Sequence, residues 1–338
     1  MNNLLVLKLQ KKYNYFFNYL SYFEDFLINN KQTKDFNLSK CIFISGMPRS
    51  GTTVLTHILS KFDNVGGYNY SDLPFYKIPY FWSKFKNLYY LNRKSLSRPH
   101  GDGLKIDISS PDAFEELIWS ENLTNYKSES FFKFLNEDYE NATLEKELLR
   151  NANKILKIRK KNIYLSKGNY NIFRIRYINN IFKNSFFVIC IRNPVDVIKS
   201  SIKTHKQFLE INEKNKFFSD EMTELCHFEF GKNRKNISND NKYVDDYTYY
   251  LNQWKIIHQL IYEKYLNLKN VFLFNFDNFS SNPEKSIFDL SNKLNLKNND
   301  EVSSYVKFNI KTKDKSESQI NDESINNLYQ KLLDHTVN

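Results

Sequence analysis

Two short segments hold most of the chemistry that this sequence offers. In GMPRSGTT (46–53), two glycines, an arginine and two threonines stand between CIFIS (41–45), a β-rich run, and TTVLTHILSKF (52–62), which reads as a helix. The order strand, glycine loop, helix exposes backbone N–H groups at a helix N-terminus, where the helix dipole favours an anion. Against the GxxxxGK[ST] loop of nucleoside triphosphate sites, the segment keeps both glycines and Thr53 but has Thr52 in the lysine's place; the positive charge sits at Arg49, inside the loop. A turn that only joined strand to helix would need no charge beside two glycines. The second segment, RNPVDVIKSS (192–201), follows the run FFVICI (186–191). Arg192 falls at the carboxyl end of that strand, Pro194 opens a helix, and Ser200 stands eight residues after Arg192, roughly two helical turns on. Ligands of parallel α/β sheets bind outside the carboxyl ends of the strands, which points Arg192 at the crevice that the glycine loop faces. The strand runs into an arginine rather than an acidic residue, so the magnesium apparatus of phosphoryl transfer is missing.

The elements that must position these segments read as an α/β fold. Continuous apolar runs recur at IYLS (163–166), FFVICI (186–191) and VFLFNF (271–276), with helical stretches between them. Runs without alternation suit strands covered on both faces, hence a central parallel sheet flanked by helices. Residues 13–30 read as an amphipathic helix within an N-terminal helical extension (1–40), and further helices are expected over 244–266 and 322–334. Residues 66–140, rich in proline and aromatics, read as a long irregular insertion after the first βα unit, of the kind that builds a substrate pocket. No internal repeat or linker appears, and the simplest organisation is one domain spanning 1–338.

Composition narrows the class. With 338 residues and 41% hydrophobic composition the chain can bury a large core, which excludes wholesale disorder. Charge interrupts every apolar stretch before the ~18 residues that a membrane helix needs. The N-terminus lacks the small-residue cleavage site of a secretory signal, and a cytoplasmic protein is expected. Cys41, Cys190 and Cys226 show no metal-ligand spacing and read as reduced, buried thiols. A net charge of +11 favours an anionic partner without naming it, and the spread of basic residues along the chain argues against nucleic acid. Only 8 glycines occur, so their clusters at 46/51, 66/67 and 101/103, with Gly168 and Gly231, mark positions where the backbone needs unusual freedom or close approach.

Together the two segments resemble the 5′-phosphosulfate loop and the 3′-phosphate element of sulfotransferases that use 3′-phosphoadenosine-5′-phosphosulfate (PAPS). Arg49 in PRSGTT makes the chain look like the bacterial and tyrosylprotein branch. YLSKGNYNIFRI (164–175) resembles that family's strand ending in a lysine, and FNFDNFSSNPEKSIFDLSNKLNL (274–296) its C-terminal strand and helix. The resemblance covers about 41–60 and 160–296, leaving 66–140 to select the acceptor.

The resemblance implies a P-loop-like fold and a metal-independent transfer of a sulfuryl group from PAPS to a hydroxyl or amine acceptor, a carbohydrate or another small or lipid-linked molecule. Arg49, Ser50, Gly51, Thr52 and Thr53 are expected at the donor's 5′ end, Arg192 and Ser200 at its 3′-phosphate, and Lys167 at the sulfuryl or leaving oxygens. Many cytosolic members have a histidine two residues after this lysine; here that position is Asn169, which cannot take a proton. A base is therefore expected within 66–116: His100, beside Asp102 and two glycines, or Asp72, with Glu115 and Glu116 beyond. Two rivals stay open, a nucleotide-dependent kinase and a non-catalytic basic domain that binds nucleic acid or a partner.

Overall fold

The structure is a computed structural model that describes residues 3–30, 38–90, 96–97, 105–130, 132–237, 245–310, 312, 318, 320 and 322–338. In chain order its elements are α1 (Asn3–Lys12), α2 (Asn14–Asn30), β1 (Lys40–Gly46), α3 (Thr52–Leu59), β2 (Val65–Gly66), α4 (Pro79–Tyr90), β3 (Leu96–Ser97), β4 (Lys105–Ile106), α5 (Glu116–Asn122), α6 (Ala142–Arg159) and β5 (Ile163–Lys167). There follow α7 (Ile175–Ile181), β6 (Ser185–Ile191), α8 (Pro194–Lys214), α9 (Lys216–Glu224), α10 (Asp246–Leu260), β7 (Val271–Asn275), α11 (Phe276–Ser281), α12 (Pro283–Lys293), α13 (Asp300–Asn309) and α14 (Glu323–Leu333).

Five parallel strands form one sheet in the order β2-β5-β1-β6-β7. The order puts β1, which feeds the glycine loop, between β5, which ends in Lys167, and β6, which ends before Arg192. Register carries this to single residues: Ile44 pairs with Lys167, and Gly46 with Cys190. Both faces of β1 are buried. Cys41 and Phe43 enter the larger core, with Phe187 and Ile189 of β6, whereas Ile42 and Ile44 enter the second, with Val188 and Cys190. Alternate side chains of a strand point to opposite faces, so two buried faces require the unbroken apolar runs seen in the sequence.

The expected parallel sheet is present, and local chemistry explains where its helices start. Asn141, Asn193, Asn215, Asn282 and Asn299 each accept a backbone N–H of the first turn they precede, satisfying a donor that the helix itself leaves unpaired. The helix expected over 13–30 is α2, and a further helix, α1, meets it at Tyr13. Two boundaries differ from the sequence reading: the helix after the loop stops at Leu59, and α10 gives way at Ile261 to a π-helical turn. The stretch read as irregular contains α4, which Pro79 opens, and α5.

Two buried histidines stand on the packed helices α8 and α10. His205 of α8 accepts the N–H of Gly231 at Nδ1 (3.0 Å), and His258 of α10 lies flat on Trp254 (3.9 Å between ring centroids) with Nδ1 2.7 Å from the Trp254 carbonyl. Burial pushes both imidazoles down to about 4, helped at His205 by the Arg234 charge. The folded protein therefore keeps both neutral where the unfolded chain, with histidines near ~6.5, takes up protons. Stability should be fully present above pH ~6.5 and fall as the pH drops toward 4. Urea titrations across that window are expected to show a falling midpoint, and a flatter profile in the His258→Gln variant.

Candidate active site

The loop after β1 is shaped by close backbone approach. Gly46 has φ +141°, and a Cβ there would lie 2.6 Å from the Cys190 carbonyl oxygen; Gly51 has φ +97°, and a Cβ there would lie 2.0 Å from Cδ2 of Phe276. Neither position tolerates a side chain. Between them Arg49 adopts the left-handed conformation (φ 75°), which costs a non-glycine residue roughly 1–2 kcal/mol. Arg192 holds it there by donating from Nη1 to the Arg49 carbonyl oxygen (3.2 Å), while Arg49 Nε donates to Ser200 Oγ (3.0 Å). The two sequence segments thus interlock, with Arg49 reaching the second element rather than only the loop's own anion cradle. Asp196 and Asp277 flank Arg192 at 4.0 and 3.8 Å, yet its buried Nε donates no hydrogen bond. The Ser50 hydroxyl is likewise buried without a hydrogen bond. Buried donors of this kind are costly unless something accepts from them, which fits an anion at this loop.

Lys167, at the end of β5, is almost wholly buried and donates to Asp112 Oδ1 (2.8 Å), whose other oxygen accepts from the Tyr70 hydroxyl (2.9 Å). Asn169 is no bystander. It accepts from Thr52 Oγ1 (3.2 Å) and donates to Glu229 Oε1 (3.0 Å), and Glu229 Oε2 lies 3.1 Å from His227 Nδ1. A polar chain therefore runs from the loop through the lysine-plus-two position to a His–Glu pair that the sequence reading missed. Its signal was Gly231, one of the scarce glycines. With φ +80°, it lets residues 227–231 turn back onto α8, its N–H given to His205 and the next N–H to Asn212 Oδ1 (3.2 Å).

The carboxylates expected to supply a base have other work. Asp72 is buried, accepts the Asn69 N–H (2.9 Å) and pairs with Arg159. Glu115 accepts from Trp119 Nε1 (3.1 Å) and Tyr164 OH (2.7 Å), and burial raises its pKa. Glu116 makes a two-point ion pair with Arg174 (3.2 and 2.5 Å). These three residues tie the insertion to α6, β5 and the segment before α7. His100 and Asp102 lie outside the described residues.

Arg49, Thr52, Thr53, Lys167, Asn169, His227 and Glu229 all line one cleft of about 450 Å³ at the carboxyl ends of the strands. Its other wall is largely apolar, with Leu73 and Phe114 from one side and Ile211, Phe218 and Met222 from the other. Residues 41–300 match the model of the sulfotransferase family. The chain belongs to that family. No curated protein matches this sulfotransferase at the level of sequence. Among solved structures it is similar to sulfotransferase STF9 from Mycobacterium avium, with 11% identity and a TM-score of 0.53 over 91% of this chain and 80% of that one. It is also similar to sulfotransferase STF1 from Mycobacterium tuberculosis H37Rv, with 13% identity and a TM-score of 0.48 over 89% of this chain and 80% of that one. At such identities the likeness to STF9 shows the fold: the sulfotransferase is α/β, with a P-loop-like parallel sheet between helices.

The ion pair of Asp72 yields a prediction about this sulfotransferase. Asp72→Asn leaves Arg159 without its buried counter-charge and should lower the unfolding free energy by about 1–3 kcal/mol, read from urea denaturation, with no change in the affinity for adenosine 3′,5′-bisphosphate by calorimetry. A variant of wild-type stability whose kcat falls by roughly 10²–10⁴ would return Asp72 to the role of base.

Proposed function

We propose that this sulfotransferase moves a sulfuryl group from PAPS to the hydroxyl or amine of an acceptor. The observation that carries the reading is the convergence on one cleft of the glycine loop, the buried Lys167 and the His227–Glu229 pair. The donor has two separated anionic ends, and two interlocked cationic elements suit it: Ser50, Gly51, Thr52 and Thr53 for the phosphosulfate, Arg192 and Ser200 for the 3′-phosphate, with Arg49 bridging the two. In the transfer the acceptor oxygen or nitrogen bonds to sulfur as the bond from sulfur to the bridging oxygen breaks. Lys167 and the loop N–H groups would stabilise the charge that builds on the leaving phosphate. The acceptor's proton passes to His227, whose ring stacks on Phe208 and stands 3.1 Å from Glu229, a carboxylate placed to balance the imidazolium that forms. Asn169, which cannot act as a base, ties this pair to Thr52.

The apolar wall of the cleft favours, among the acceptor classes open from the sequence, an amphipathic or lipid-linked alcohol over a free sugar. The loop lacks the triphosphate-site lysine, and β6 runs into Arg192 instead of an acidic residue, so metal-independent turnover is the expectation.

Two measurements test the assignment. Arg192→Ala should weaken binding of adenosine 3′,5′-bisphosphate by about 2–4 kcal/mol and adenosine 5′-phosphosulfate much less; equal weakening of both ligands counts against the 3′-phosphate role. With an acceptor in hand, His227→Ala and Glu229→Gln should each lower kcat by roughly 10²–10⁴ at unchanged bisphosphate affinity, and turnover should survive EDTA. Normal kcat in both variants removes the pair from the mechanism.

A further inference from the structure

The N-terminal helices have two faces of different character. Hydrogen bonds from Tyr13 N to Leu9 O (3.0 Å) and from Phe17 N to Tyr13 O (3.1 Å) carry the helical path across their junction. Inward, Leu4, Val6, Leu7, Phe17 and Ile28 are buried, and Glu24 meets Lys154 of α6 (3.1 Å). Outward, Leu5, Leu9, Phe16, Tyr19, Phe23 and Phe26 follow one another at intervals that are multiples of the helical turn and stand 44–70% exposed. Phe23 touches Phe81 of α4 (6.2 Å between centroids), where Phe85 (61%) and Leu88 (73%) extend the patch. With 150–250 Å² for each aromatic side chain, the patch exposes on the order of 800 Å², beyond the roughly 300–600 Å² of the largest apolar patch on an ordinary monomer.

Charge says what such a face would meet. Lys8, Lys12 and Lys84 are exposed beside the patch, while α1 and α4 contain no acidic residue. The two acids of α2 are committed inward, Glu24 to Lys154 and Asp25 to Arg150. Among the described residues, Lys8 faces the half-exposed Asp220 of α9 at 3.4 Å, a surface pair that holds its members weakly, while Lys11 is taken up by Glu224 of α9. A second copy on the same face would need self-complementary charge, and among their described residues α1, α2 and α4 offer cations and no exposed acid. No described helix is long and apolar enough to cross a membrane. Exposed tyrosines at positions 13, 15, 19 and 22 suit the headgroup region, where aromatic rings with a polar tip concentrate.

We propose that the outer face of α1, α2 and α4 docks the protein on an anionic lipid surface, phenylalanines and leucines entering the acyl boundary while Lys8, Lys12 and Lys84 meet the headgroups. The proposal stands on this face alone and is independent of the donor and acceptor assignments. The test is sedimentation of the full chain with vesicles of phosphatidylcholine, with and without phosphatidylserine. Binding is expected to the phosphatidylserine vesicles, weaker by about tenfold on phosphatidylcholine alone and reduced by added salt. Phe16→Asp/Phe23→Asp should abolish it, and Lys8→Glu/Lys12→Glu should weaken it by about tenfold or more, both with wild-type bisphosphate affinity as the folding control. Should the aspartate variant unfold, Tyr19→Ser/Phe26→Ser replaces it and must weaken vesicle binding. Absence of binding to phosphatidylserine vesicles overturns the proposal. So does light scattering that shows a dimer dispersed by Phe16→Asp, since a second copy then covers the face.

Discussion

Gly51 lies so close beneath the ring of Phe276 that the glycine loop and the start of α3 are packed directly on the first residue of α11. The same holds on the other side, where Gly46 sits against the Cys190 carbonyl and Arg192 fixes the carbonyl of Arg49. A loop that must turn N–H groups outward has to give up its own internal pairing. Its shape then comes from neighbours: a ring of α11, a carbonyl of β6 and a guanidinium just beyond β6. The strained Arg49 backbone persists because these contacts over-determine it. Strand order makes the arrangement possible, since β1 lies between the two strands that deliver Lys167 and Arg192.

Carboxylates of the insertion show how environment assigns roles to one residue type. Buried charge is tolerated when paired, and Asp72, Glu115 and Glu116 are engaged by Arg159, by Tyr164 with Trp119, and by Arg174. Their contacts fasten the backbone around Asp72 and around Glu115 and Glu116 to α6, β5 and the residues before α7. Asp112 and Glu229 instead line the cleft, each joined to a group of the strand-end cluster, Lys167 or Asn169. What separates the two sets is the length and direction of the partner side chain, which no spacing along the chain reports.

The aromatic excess of the chain also divides in two. Phe43, Phe187, Trp119 and Trp254 are wholly buried and fill the cores. The exposed ones concentrate on α2, with Tyr13 before it and Phe85 of α4 beside it, where the inward half of each helix already packs on the fold. Helical periodicity places both sets with equal ease, because an apolar stripe marks a face that seeks cover and is silent about whether cover comes from the same chain.

Residue order alone was enough for the parallel sheet, the glycine loop and the arginine after β6, because each is a local statement: a strand, its turn and its helix lie within a few consecutive residues, and glycine and proline act on their own backbone. Asn169 was legible in the same way as a departure from the expected histidine. The His227–Glu229 pair was not, since Glu229 meets Asn169 across a separation of 60 residues. For Asp72, expected as a candidate base, the partner Arg159 stands 87 residues away and was equally hidden. Only the tertiary structure could decide which side of the insertion faced the cleft, because a carboxylate becomes a base or a tie according to the charge that folding brings beside it, and that charge comes from elsewhere in the chain.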